Sequence, residues 1–186
     1  MESELMREVE LSDARFLLYP KSVVLVTSKA GEKENVLSVA WHMPTSHEPP
    51  LVLISIAFHR FSHELIKKGG EFVINVPPKE LLPAVELCGS VSGRSIDKFE
   101  KAGLTKIPSK KVSPPSIKEC IAHVECRVVD SFITGDHEVF VGEVVYAQAE
   151  EGVFENGSFT LRERTPLLFL GGDEYTYCTE RLESGR

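Results

Sequence analysis

A mainly β domain, built as a closed or nearly closed antiparallel barrel with short helices on its outside, is the fold this sequence predicts. Runs of β-branched and aromatic residues recur along most of the chain, and turn signals link several of them as hairpins. The helical segments are short and gathered in the middle. No regular alternation of strand and helix appears, which argues against a doubly wound parallel sheet.

Taken in order, a short helix is expected over Ser12–Leu18, with Ser12 as its cap. Ser22–Thr27 is a β-branched run that reads as a buried strand, and Gly31 turns it into a second, Asn35–Trp41. Met43–Pro50 holds three prolines and is expected to be a loop. Leu51–Ile56 and Glu71–Val76 are the third and fourth strands. Helices are expected over Ser62–Lys68, capped by Ser62, then over Lys79–Cys88 and Ser95–Lys101. Glu119–Ile133 reads as a long strand, Thr134-Gly135-Asp136 as a turn, and His137–Ala149 as the antiparallel partner. Asn156-Gly157 is a second hairpin signal, and Thr165–Leu170 is the closing strand. There is no internal repeat. Residues 1–186 form one domain, with 176–186 expected as a loose polar tail.

Composition narrows the function. The 186 residues suffice for one domain with a sizeable core, and 42% hydrophobic against 26% charged is the balance of a soluble globular protein. No apolar run approaches the ~20 residues that span a bilayer. Met1–Arg7 is acidic and lacks the layout of a signal peptide, so a cytoplasmic location without membrane association is expected. The net charge of −7, with no cluster of Lys and Arg, excludes a broad nucleic-acid surface. Cys88, Cys120, Cys126 and Cys178 show no metal or redox spacing; they are expected as buried small hydrophobes, with no metal site.

Several catalytic motifs fail on inspection. His63-Glu64-Leu65-Ile66-Lys67 begins like a zinc-protease helix, but Lys67 stands where the second histidine belongs. His59 lies ahead of the helix that carries His63, so the pair does not share a helical face. In Gly89-Ser90-Val91-Ser92-Gly93 the central position is Val91, so there is no nucleophile elbow. Neither a dinucleotide fingerprint nor a phosphate-loop Gly-Lys-Ser/Thr occurs.

Two helix starts suit an anion. Arg60-Phe61-Ser62-His63 combines unpaired helix N–H groups with a hydroxyl and a guanidinium; the alternative is a plain N-cap beside a surface arginine. At Ser92-Gly93-Arg94-Ser95, Gly93 permits close backbone approach and Arg94 can pair with negative charge; the alternative is a glycine turn with a Ser95 cap. Between prolines, the Pro44–Pro50 loop can present N–H groups to a flat heterocycle. Trp41, just ahead of it, either packs near that ring or fills the core.

In this order the motifs resemble the flavin reductase-like family of FMN-binding split β-barrels. The resemblance runs over about Tyr19 to Gly172. It takes in Tyr19–Thr27, Asn35–Trp41, the Pro44–Pro50 loop, Glu71–Pro77, Cys88-Gly89, Ser92-Gly93, Asp97-Lys98-Phe99 and Gly135–Val144. It implies a homodimer holding FMN noncovalently near the subunit interface. Asn35, Ser38, Trp41, Pro44, Thr45 and Ser46 would line the ring and ribityl side. Arg60, Ser62 and His63 would approach the phosphate, helped by Ser92, Gly93, Arg94 and Lys98. His137 would face the flavin or its reductant; its other reading is a hairpin-end histidine bonded to Asp136. Tyr175 would come from the other subunit, and Phe169 stands where family members often carry a basic residue. The resemblance implies electron transfer from NAD(P)H or a redox protein, through FMN, to flavin, ferric iron or a redox partner. The rival is a non-catalytic electron-transfer module of flavoredoxin type.

Overall fold

The computed structural model describes residues 6–182. The strands are β1 (Lys21–Ser22), β2 (Val24–Ala30), β3 (Lys33–Val39), β4 (His42–Ser46), β5 (Leu51–Ala57), β6 (Glu71–Val76), β7 (Lys106–Ile107), β8 (Ser116–Ile117), β9 (Ala122–Thr134), β10 (His137–Ala149), β11 (Phe154–Glu155), β12 (Ser158–Phe159), β13 (Leu167–Gly171) and β14 (Glu174–Tyr177). The helices are α1 (Phe61–Gly69), α2 (Leu82–Ser90) and α3 (Lys98–Lys101), with 3-10 turns at Ala14–Leu18 and Lys79–Leu81.

Seven strands form the main sheet in the order β3-β2-β6-β9-β10-β5-β4, every pair antiparallel. The chain passes straight from β3 into β4, yet these two are the unpaired ends of the sheet. The barrel is therefore split at this seam rather than closed, as the resemblance to split β-barrels implies.

β2 and β3 are apolar on both faces because both faces are covered. Leu25 and Val36 pack with Val85, Cys88 and Phe99 beneath α2 and α3. Val24, Val26, Leu37 and Val39 pack on the barrel side with Ile54, Ile56, Ile66, Phe72 and Phe140. The β9–β10 hairpin turns at Gly135 and carries register shifts at Val141/Gly142 and Val144/Tyr146. At Gly142 a Cβ would lie 2.6 Å from the Phe72 ring and 2.9 Å from the Cys126 Cβ, so the strand approaches the core backbone-first. Asn156 and Gly157 both have positive φ, 51° and 79°, the twist that a two-residue hairpin needs.

Several local expectations are corrected. The segment expected as a loop over Met43–Pro50 begins as strand β4; Pro44 is tolerated there because β4 is a sheet edge. The first helix is a 3-10 turn beginning at Ala14, with Asp13 rather than Ser12 ahead of it. Helix α1 starts one residue early, with Arg60 in the cap position, so Ser62 lies inside it. Helix α3 starts at Lys98, capped by Asp97, whose Oδ1 accepts from the Phe99 N–H at 2.9 Å; Ser95 Oγ instead donates to the Ser92 carbonyl. A further strand, β14, follows the one expected to close the chain. Cys88, Cys120 and Cys126 are buried, and burial raises their thiol pKa values, but Cys178 is exposed. Of the tail, Glu183–Arg186 lies outside the described residues.

Candidate functional site

At the end of helix α2 the last carbonyls have no helical acceptor role left to fill and need other donors. Leu87 receives the Val91 N–H at 3.2 Å. The next two carbonyls receive cations. Lys98 Nζ donates to Cys88 at 2.6 Å, and Arg60 Nη1 donates to Gly89 at 2.9 Å. Positive side chains at a helix C-terminus are favoured by the dipole. Arg60 reaches this point from the N-cap of α1, and Lys98 from the first residue of α3.

Between them lies a pocket of about 110 Å³, lined also by Asn35, His59, Phe61, Ser92 and Gly93. Lys98 is only 3% exposed. Burial, the largest influence, pulls its pKa down to about 8, with the Arg60 charge acting in the same direction. Among the described residues, neither Lys98 nor Arg60 forms an ion pair with a carboxylate. Two cations thus meet at one small pocket with no carboxylate partner among the described residues, in a chain of net charge −7, an arrangement with the chemistry to receive an anion.

This pocket meets a second, larger one across Leu37, His59 and Arg60. The larger cavity, about 480 Å³, opens where the barrel is split. Val23, Leu37, Val39 and Ile56 make it apolar, and both chain ends contribute Phe16, Tyr19, Phe169 and Tyr175. These aromatics stack in series: Phe16 on Tyr19 at 5.5 Å, Tyr19 on Phe169 at 5.6 Å, and Phe169 on Tyr175 at 5.1 Å. Trp41 Nε1 donates to the Tyr19 hydroxyl at 2.9 Å, and its ring lies 4.7 Å from that of His137. His137 Nδ1 is bonded to Asp136 at 2.6 Å, which lowers the Asp136 pKa. That bond leaves Nε2 without a hydrogen-bond partner among the described residues, on the cavity wall.

Of the residues singled out in the sequence, the two adjoining pockets bring together Asn35, Ser38, Trp41, Arg60, Ser92, Gly93, Lys98 and His137. His137 is bonded to Asp136, as its structural reading expects, and it also lines the larger cavity. The other residues are placed differently. Ser62 is fully buried behind Asn35, receiving hydrogen bonds from Asn35 Nδ2 at 2.9 Å and Ser28 Oγ at 3.2 Å. His63 Nε2 bonds Glu138 at 2.8 Å, and Lys67 pairs with the same carboxylate. Burial, the largest influence on Glu138, raises its pKa, but bonds from Lys67, Ser131 and His63 outweigh it and hold it at about 2. Arg94 turns away from the anion pocket: Nη1 donates to the His59 carbonyl at 2.9 Å and Nη2 to Glu64 at 3.2 Å. Gly93 is close to the Asn35 side chain rather than to open space; a Cβ there would lie 2.0 Å from Asn35 Oδ1. Pro44, Thr45 and Ser46 stand on edge strand β4, outside both pockets, with Pro44 and Thr45 exposed. Tyr175 lines the cavity of its own chain.

Phe16 and Tyr19 carry no site signal in the sequence, because they meet Phe169 and Tyr175 from the opposite end of the chain. Among the described residues there is no group of three His, Cys, Asp or Glu side chains that could hold a metal, and no helix is long and apolar enough to cross a membrane.

Comparison with known proteins agrees with this geometry. The family model described as a flavin reductase like domain matches residues 16–177. An uncharacterized protein of Archaeoglobus fulgidus is 45% identical over 167 residues, covering 89% of this chain and 93% of that one. Among solved structures, an FMN-binding protein from Thermus thermophilus with bound 1-cyclohex-2-enone superposes with a TM-score of 0.85 at 26% identity, covering 99% of this chain and 100% of that one. A flavoredoxin from Methanosarcina acetivorans gives a TM-score of 0.85 at 25% identity, covering 97% and 96%. The split seven-stranded sheet, the cleft at its seam and these relationships together place the chain in the flavin reductase-like family.

Proposed function

We propose that the chain is an oxidoreductase that holds FMN noncovalently in the cleft, phosphate between Arg60 and Lys98, ring in the larger cavity. The observation that carries this reading is the buried Lys98 ammonium, paired with no carboxylate and facing a pocket of about 110 Å³. The dimensions fit: the larger cavity, about 480 Å³, lies within the ~300–1,000 Å³ usual for cofactor pockets and is apolar enough for a flat ring. The Thermus thermophilus relative is an FMN-binding protein, which supports the same cofactor here.

Bound FMN supplies the redox chemistry, accepting electrons in pairs and releasing them singly or in pairs. The residues of this chain hold and shield it. Arg60 and Lys98 neutralise the phosphate, and Ser92 adds a hydroxyl at the same pocket. Val23, Leu37, Val39 and Phe169 exclude water from the ring. Trp41 fixes the His137 plane by stacking and Asp136 fixes its Nδ1, so Nε2 holds or delivers a proton at the cavity.

The electron donor is a reduced nicotinamide that lies transiently over the ring, in keeping with the missing dinucleotide fingerprint. The second reading, an electron-transfer module reduced by a redox protein, is favoured by the flavoredoxin relationship. The chain works as a homodimer. Phe132, Val141, Leu53 and Met43 share the outer face of β9, β10, β5 and β4 by strand register. Phe132 is 49% exposed and Met43 51%, an apolar face suited to a second copy. Pro44–Ser46 lie at the edge of that face, where a partner's cleft could meet them.

Three outcomes are expected. Purified protein absorbs near ~450 nm, and NADH or NADPH bleaches that band anaerobically within seconds. Bleaching only by a protein donor would select the carrier reading; a colourless protein that binds no added FMN would contradict both. Sedimentation equilibrium is expected to give a dimer, and a monomer at micromolar concentration would contradict the homodimer. The third concerns Lys98. Its pKa is lowered from 10.5 to about 8 in the folded chain, so between those values the unfolded chain holds more protons. Stability of the flavin-free chain therefore rises with pH across that window, and the full cost of the buried charge is present below about pH 8. Lys98→Met is expected to weaken FMN binding roughly tenfold or more at pH 7, and to remove the rise in stability of the flavin-free chain between about pH 8 and 10.5 in urea unfolding. Unchanged FMN affinity would contradict the assignment.

A further inference from the structure

The anion pocket has a second neighbour. Across Phe61 and Gly93 it adjoins a surface depression of about 660 Å³, whose lining includes Glu32, Glu34, Glu64, Arg94 and Asp97. The opposite side, through Leu37, His59 and Arg60, leads into the ring cavity. For a flavin carrying more than one phosphate, the depression is the adjoining space on the side away from the ring cavity where a second phosphate would lie.

One cation lies on that route beside the pocket, and it is occupied. Arg94 spends Nη1 on the His59 carbonyl at 2.9 Å and Nη2 on Glu64 at 3.2 Å, with its guanidinium 5.2 Å over the Phe61 ring. Glu64 is held in place by Lys68 at 2.9 Å, one helical turn along α1. Lys33 is the one other cation of the lining; the remaining charged groups are the carboxylates of Glu32, Glu34 and Asp97. A second phosphate arriving here would meet a guanidinium already paired with Glu64, and several carboxylates around it.

From this juxtaposition we infer that Glu64 biases the choice between flavin mononucleotide and dinucleotide: by engaging Arg94 it withholds that guanidinium from the second phosphate of FAD. The inference rests on the FMN reading of the adjoining pocket. Glu64 acts through Arg94 and touches neither the ring nor the first phosphate. Because the pair is half exposed, its effect on selectivity is modest, roughly three- to tenfold.

The test is calorimetric titration of the flavin-stripped chain with FMN and, separately, FAD. Wild type is expected to favour FMN. Glu64→Gln frees Arg94 and is expected to move the FAD-to-FMN affinity ratio roughly three- to tenfold towards FAD, less so at high salt. Adding Arg94→Gln to that variant is expected to abolish the gain. A ratio unmoved by Glu64→Gln, or a gain that survives removal of Arg94, overturns the inference while intact FMN binding leaves the underlying reading standing. Failure of wild type to bind FMN at all overturns both.

Discussion

Two cations resting on the carbonyl end of one short helix hold this site together. A helix terminus leaves carbonyls that burial makes costly unless donors reach them. Here Lys98 and Arg60 serve the Cys88 and Gly89 carbonyls. That contact ties the starts of α1 and α3 to the end of α2, and so fixes the loop between α2 and α3. Had each cation met a carboxylate, the arrangement would be a closed structural ion pair. Neither does among the described residues, so the buried ammonium and the guanidinium meet at a pocket with their charge uncompensated.

The fold places the rest of the site around that point. Strands β3 and β4 follow one another directly but do not pair, so the barrel stays open along the seam they share. The cleft is that seam. Its floor is sheet, one wall is the Trp41–His137 stack, and the other is an aromatic series assembled from both ends of the chain. A largely apolar cavity and a small cationic pocket meet at Arg60, giving a site apolar on one side and positive on the other.

Much of this was readable in the sequence, for physical reasons that also explain what was not. The β-branched run of Ser22–Thr27 and the Gly135 turn specify a strand and a hairpin through local chemistry alone. The Asn35 and Lys98 positions came through a family resemblance that preserves motif order, whereas Arg60 was also legible from its place at a helix start. Role was harder to read than location. Ser62 has the chemistry of a cap, yet Arg60 takes the extended cap conformation, and Ser62 is used inside to support Asn35. Gly93 looks like room for a ligand, but the room belongs to the Asn35 amide. Arg94 sits beside the anion pocket in sequence and in space, and Glu64, thirty residues away, turns it aside. The Phe16, Tyr19, Phe169 and Tyr175 wall depends on the two termini meeting, which no periodicity records.

Titrating the flavin-stripped chain at pH 7 with FMN and with riboflavin isolates the phosphate, the one group these flavins do not share. Two charge-assisted contacts at ~1.5–3 kcal/mol each are expected to make FMN bind at least about 100-fold more tightly, with most of that advantage lost in Arg60→Ala and Lys98→Met. Equal affinity for the two flavins in the unsubstituted chain would contradict a phosphate seat between Arg60 and Lys98.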